Sequence, residues 1–220
     1  MKTFTVSLIP GFKFRLSLVD AILLLAYIFF CYLMLLIVLQ YIPMGTDTAF
    51  LNIKQDYIHM PFYLPAFYIH VFTAVLALPA GFTQFSKYLQ KNYKPFHRIN
   101  GRIYVFSVLL FGSTSGFIIG IYANGGILSQ IAFCLLAVLW FYFTLMAFIK
   151  ARQKKIIEHK KMMYRSFALT LSAITLRAWK YVIVYLFEPQ PMDVYRIVAW
   201  LGWVLNLIIA EIIIFKYIQK

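Results

Sequence analysis

Acidic residues are close to missing from this chain: seven Asp and Glu stand against 21 Lys and Arg in 220 residues. Charge of either sign is scarce, at 13% of residues, where a soluble domain carries about 25%. With 63% hydrophobic residues and a mean hydropathy of +0.79, that shortfall excludes an ordinary soluble domain, which could not cover so much apolar surface. Cysteine is limited to Cys31 and Cys134, both inside apolar runs. Two such thiols read as inert packing, not as a disulfide framework or a metal cluster. Catalytic signatures are missing too. There is no His pair at metalloprotease spacing, no phosphate-cradling glycine loop and no serine nucleophile elbow. The formal net charge of +14 would suit nucleic acid only on a basic face of a soluble fold. Here the basic residues sit in short clusters between apolar runs, so nucleic acid is not expected as a partner.

What the chain has in abundance is long apolar runs. Six reach the roughly 20 residues needed to cross a bilayer, at about 17–42, 64–86, 100–122, 127–150, 165–187 and 195–217. The fold class expected is all-α, a polytopic membrane bundle of six helices forming one transmembrane domain over 17–220, preceded by a cytoplasmic arm, 1–16. The first run is too long for a signal peptide and reads as a retained anchor. Turn chemistry separates the runs at Pro43-Met44-Gly45, Asn124-Gly125-Gly126 and Glu188-Pro189-Gln190-Pro191. Sixteen of the 21 basic residues fall on one side: Lys2, Lys13 and Arg15; Lys87 to Arg98; Lys150 to Arg165; Lys216 and Lys220. The positive-inside rule then places both termini in the cytoplasm of a bacterial inner membrane, with anionic headgroups as the lipid partner. The 43–63 connection is long enough to lie on the outer surface, with Tyr57, Phe62 and Tyr63 at headgroup level.

Polar groups at depth in a membrane carry a functional expectation by default. Helical spacing aligns His70, Ala74, Ala77, Gly81 and Gln84 on the second helix, and Ser166, Thr170, Ala173, Arg177 and Lys180 on the fifth. The sixth aligns Arg196, Trp200, Trp203, Leu207 and Glu211, with Asn206 on a neighbouring face. Gly112, Gly116 and Gly120 at four-residue spacing on the third read as close helix packing. Depth sorts the polar residues into two levels. His70 and Arg177 belong to the outer half, where they are expected to share a water-lined pocket, and Asn206 lies near mid-depth. Gln84, His97, Arg98, Arg102, His159, Arg165 and Glu211 gather near the inner face. Glu211 is expected to form an ion pair with Arg102 or Arg165. His97 and His159 fit two readings, a shared metal or haem ligand pair or contacts with anionic headgroups. His59 reads as a surface residue.

Several of these positions form recognisable motifs. The run Pro95-Phe96-His97-Arg98-Ile99-Asn100-Gly101-Arg102-Ile103-Tyr104 resembles a His-Arg-x-x-Gly-Arg-x-Tyr motif. His159 to Ser166 resembles a His-x-x-x-Met-x-Arg-Ser segment, with Arg177 as a downstream arginine. Trp200 to Glu211 resembles a Trp-x-x-Trp-x-x-Asn-Leu-x-x-Ala-Glu ending, and His70, Gly81, Gln84 and Phe85 match the second-helix pattern. Together, over about 64–212, they are similar to the bacterial membrane family called domain of unknown function 2306. The resemblance implies that these positions matter as a set; it brings no activity with it. Histidines near both faces also resemble membrane b-type cytochromes, but His70 lacks a helix-borne partner, which leaves at most one haem site, at the inner face.

The functional expectation is therefore redox or cofactor association. Haem b, a metal or a quinone would be held by His97, His159 and His70, with Arg102, Arg165 and Arg177 neutralising an anionic group. Gln84, Asn206 and Glu211 complete the polar core. Two other classes stand beside it: a small proton-coupled transporter using His70, Arg177 and Glu211, and a non-catalytic assembly partner of other membrane proteins.

Overall fold

Once lipid surrounds a segment, every backbone N–H and C=O has to be paired within the protein, and helices answer that demand locally. The structure, a computed structural model, describes residues 3–9 and 12–218; Lys2 and Lys220 lie outside the described residues. Two strands, β1 (Thr3–Ile9) and β2 (Phe12–Ser17), pair antiparallel with Thr3 opposite Ser17. Helices follow: α1 (Leu18–Leu39), α2 (Tyr63–Thr83), α3 (Lys87–Asn92), α4 (Lys94–Phe106), α5 (Ser113–Ile121), α6 (Ile127–Arg152), α7 (Ile156–Thr170), α8 (Ser172–Phe187) and α9 (Pro191–Tyr217). A π-helical turn, Ser107–Gly112, joins α4 to α5.

The protein is an all-α membrane-spanning bundle. Five segments are long and apolar enough to cross a bilayer: Ala21–Leu39, α2, the continuous Lys94–Ile121, α6 and α9. The pair α7 and α8, bent by 42° at Leu171, makes a sixth if it is one span. The basic segments lie at one end of the bundle, here the basic end; the 40–62 connection and the Asn124–Gly126 turn lie at the far end. That turn needs glycine, because Gly125 and Gly126 take φ of 86° and 80°.

Around the bundle, α2 packs on α4, the π turn and α5; α5 packs on α6; α6 packs on α7 and α9. α7 also meets α2, whereas α8 leans on α9 and α1, and α1 lies across α2 and α8 with most of its surface left to lipid. The central core joins Ala77, Tyr104, Val108, Trp140, Phe167 and Trp203.

Three features depart from the expected spans. The third span begins at Lys94 and the fifth at Ile156, ahead of the expected 100 and 165, because hydropathy marks the part of a helix in lipid, not the part that projects beyond it. The fifth segment is also not a single straight helix. Thr170 and Thr175 return their hydroxyls to the carbonyls of Ser166 and Leu171, each at 3.1 Å, a pattern that bends helices. At the break the Ala168 carbonyl, which an unbroken helix would pair with the Ser172 N–H, accepts Asn206 Nδ2 from α9 at 3.0 Å. The same amide reaches Thr175 Oγ1 and the Gly202 carbonyl, both at 3.0 Å. Gly202 allows this approach, since a Cβ there would stand 2.9 Å from that of Leu176.

The third departure is the far-end connection. Tyr63 is fully buried against Tyr41, Leu51, Phe67 and Tyr68 instead of sitting at headgroup level. Lys54 is buried beside it, 1% exposed. Its ammonium donates to the Tyr122 carbonyl and to Asn124 Oδ1, and lies over the Phe50 and Tyr57 rings at 5.5 and 5.3 Å. This lysine clamps the connection onto the α5–α6 turn.

Two outcomes are expected. Asn206→Ala should cost about 1–2 kcal/mol, above the roughly 0.6 kcal/mol average for interhelical membrane hydrogen bonds, because it strands the Ala168 carbonyl; denaturant titration in detergent measures it. Burial pushes the Lys54 amine down to about 8 from the ordinary 10.5. The unfolded chain therefore binds more protons at Lys54 between those values, and docking of the connection gains stability as pH rises through that window, with no gain below it. Melting curves from pH 7.5 to 10 should show this rise in the wild type and lose it in Lys54→Met.

Candidate functional site

The structure separates the polar residues into a structural network and two clusters of histidine and arginine. The network is buried at the meeting of three spans. Tyr104 Oη on α4 lies 2.6 Å from Ser166 Oγ and 2.8 Å from Thr170 Oγ1 on α7. Thr144 Oγ1 on α6 lies 2.6 Å from Ser166 Oγ, and Trp140 Nε1 donates to Thr170 Oγ1 at 3.0 Å. Every hydroxyl of the group has a partner within it, so the group is satisfied without water and acts as glue. Ser166 and Thr170 belong to the expected polar face; Tyr104, Trp140 and Thr144 were not singled out as site residues, because a Tyr or Trp in an apolar run carries no signal of its partner.

At the basic end, His97 occupies the first turn of α4 and His159 the first turn of α7. Both are half-buried, and the imidazoles lie within electrostatic reach of each other. His159 Nδ1 lies 2.8 Å from the Ala147 carbonyl on α6. A carbonyl only accepts, so that nitrogen carries the hydrogen and Nε2 keeps its lone pair. His97 Nδ1 is buried with no hydrogen-bond partner. Arg98 and Arg102 are exposed nearby in sequence. Arg165 is committed elsewhere: its Nε and Nη2 hold Glu211 Oε1 and Oε2 at 2.5 and 2.9 Å, and it stands over the Phe143 ring. Of the two partners expected for Glu211, it takes Arg165, a bidentate geometry that favours arginine. Gln84 is buried where α2 meets α4, and Gly101 gives it room, since a Cβ there would stand 2.9 Å from Gln84 Oε1.

In the far half, His70 on α2 is turned toward the third span. Its Nδ1 donates to the Gly112 carbonyl at 2.8 Å, at the end of the π turn. A Cβ at Gly116 would approach the His70 ring to 3.0 Å. The glycine row therefore serves both packing and seating: Gly112 admits Trp140, Gly116 the imidazole, and Gly120 the backbone of α6. Arg177, on α8, acts electrostatically on His70 and on Tyr41 at the end of α1. It makes one hydrogen bond, from Nη1 to the Ala173 carbonyl at 2.6 Å. His59 is exposed, as a surface residue should be, and Lys180 is exposed as well. Cys31 and Cys134 are free thiols.

A family model described as "Predicted membrane protein (DUF2306)" matches residues 67–214, two thirds of the chain. The chain belongs to this family. No curated protein and no solved structure matches it significantly. The matched stretch runs from α2 into α9, so it contains both histidine clusters and the network, and with its apolar helices it makes the chain a multi-pass inner-membrane protein.

The seat of His70 is open to a direct check. Gly116→Val should push the ring off the Gly112 carbonyl, and the ¹⁵N spectrum of histidine-labelled protein should then lose the signal of the Nδ1-protonated tautomer at that residue. An unchanged spectrum would mean that the glycine does not set the ring.

Proposed function

We propose that this protein is a cofactor-holding, redox-associated component of the inner membrane, in which His97 and His159 share one ligand at the basic end. The observation that carries this reading is that two imidazoles from different helices lie within electrostatic reach, one with Nδ1 tied to a carbonyl and Nε2 left free, the other with a buried nitrogen unpartnered. Metal-ligating histidines characteristically donate their second nitrogen to a carbonyl in this way. Among the described residues no cluster of three or more His, Cys, Asp and Glu side chains is placed to hold an ion. A bare metal would thus receive too few protein ligands, whereas haem iron would ask only two of the protein, which His97 and His159 would supply. Haem b supplies one-electron transfer when bound. Arg98 and Arg102, exposed and free of carboxylate partners among the described residues, would meet its propionates. Arg165 would not, being occupied by Glu211.

The reading includes an orientation. Counting α7 and α8 as one span gives six, and the concentration of Lys and Arg at the basic end makes that end cytoplasmic, with both termini inside. The expected outcome is twofold. Reporter fusions at Lys154 and at the C-terminus should report the cytoplasm, and fusions at residues 50 and 190 the exterior. Protein purified from haem-sufficient cells should show a Soret band that disappears in His97→Ala and in His159→Ala and persists in His70→Ala. Colourless, metal-free wild-type protein would overturn the cofactor reading.

A further inference from the structure

Among the described residues, the cation of Arg177 has no counter-charge. The ion pairs among the described residues join Lys161 to Glu158, Arg165 to Glu211 and Arg196 to Asp193, and none reaches α8. Its guanidinium offers five N–H donors, of which one is spent on the carbonyl of Ala173, in its own helix. The titratable groups within its electrostatic reach are His70, Tyr41 and Tyr181, and none of these is a carboxylate. No nitrogen of Arg177 is sealed off without a partner, so the unused donors face accessible space. A charged side chain inside a span is costly, and a neutral residue would avoid that cost.

The helix packing sets what Arg177 can reach. Beyond the break at Leu171, α8 leans on α9 and α1, while α2 is held by α7 and the third span. Met34, Leu78 and Ile174 join α1, α2 and α8 in one apolar cluster, and His70 and Arg177 stand beyond it without a hydrogen bond to each other. His70 adds a second functional group there. With Nδ1 donating to Gly112, its Nε2 presents a lone pair, and no protein group among the described residues is bonded to it.

From this we infer that the far half of the bundle holds a second site, distinct from the His97–His159 pair, in which Arg177 binds the carboxylate of a small organic acid. Arginine's planar fork matches a carboxylate with two parallel hydrogen bonds, and His70 Nε2 receives a hydroxyl hydrogen from the same ligand. Tyr41, whose hydroxyl also accepts the Phe50 N–H at 3.3 Å, closes the far end. The site is complete within the chain and does not depend on a cofactor at the basic end.

The test uses the full-length protein in an uncharged detergent at constant ionic strength. Sodium chloride is replaced stepwise by sodium acetate, sodium lactate or sodium phosphate, and the unfolding midpoint is followed. Acetate and lactate should raise the midpoint saturably, lactate at lower concentration because it brings a hydroxyl. Arg177→Gln should abolish the response or weaken half-saturation by about tenfold or more, Arg177→Lys should keep a reduced one, and His70→Phe should remove the advantage of lactate over acetate. His97→Ala should respond as the wild type does, which separates this site from the cofactor reading. If Arg177→Gln does not fold, the wild type and Arg177→Lys decide the matter through their different half-saturation. No response beyond chloride, an equal response in Arg177→Gln and Arg177→Lys, or a response to phosphate alone would overturn the carboxylate assignment.

Discussion

In a membrane interior a polar group without a partner has no water to fall back on, and most of the architecture of this bundle follows from meeting that demand. The Tyr104–Ser166–Thr144–Thr170–Trp140 network ties three spans through hydroxyls that bond one another. Asn206 does the same for a backbone. Where α7 breaks from α8, one side-chain amide serves the Ala168 carbonyl, Thr175 and Gly202 together. The π turn in the third span is handled similarly, with Ser113 reaching the Val108 carbonyl and His70 the Gly112 carbonyl. Irregular backbone is tolerated in each case because a side chain from the bundle re-pairs it.

Against that background the unpaired groups stand out. Tyr63 Oη, Ser129 Oγ, Trp203 Nε1 and His97 Nδ1 are buried without partners. Tyr63 and Ser129 lie where the far-end connection meets the bundle, and Trp203 lies in the apolar centre. His97 differs because a second histidine lies within its electrostatic reach. Both His70 and His159 are fixed at 2.8 Å to a backbone carbonyl, so the same device prepares a free Nε2 at each end of the molecule. The two are seated by different means: a glycine opens the surface for His70, while His159 reaches across to a neighbouring helix.

Much of this was legible in the sequence, and the reason lies in which physical signals are local. Apolar run length marked every spanning segment, and spacing by helical turns put Ala77, Gly81, Ser166 and Thr170 on inward faces, where the structure has them. The acidic residue near the inner face found an arginine, as scarcity of acid made necessary. The break at Leu171 was not visible, because it depends on an asparagine 38 residues away taking over a carbonyl. Nor was the burial of Lys54. A single lysine in an aromatic connection reads as solvated, and its acceptors, a carbonyl and an amide at the α5–α6 turn, have no sequence signature. The starts of α4 and α7 were read late because helices project beyond lipid, and this moves His97 and His159 from loops onto rigid elements.

The two arginines of the fifth segment show how context assigns a role to one residue type. Arg165 lies twelve positions before Arg177, on α7, and Glu211 from α9 clamps it with two bonds. A guanidinium so engaged has its charge met and its Nε–Nη2 edge filled, and serves to register α7 against α9. Arg177 lies past the break, where α8 has swung away by 42° and α9 offers no acid at its level. Were the segment a single straight helix, α8 would continue along α7's line of contact with α2 and α6. The bend instead carries Arg177 out toward Tyr41 and the end of α1. The hydrogen bonds of Asn206 that hold the break therefore also leave Arg177 without a carboxylate partner among the described residues, and a motif residue on α9 sets the chemistry available in the far half.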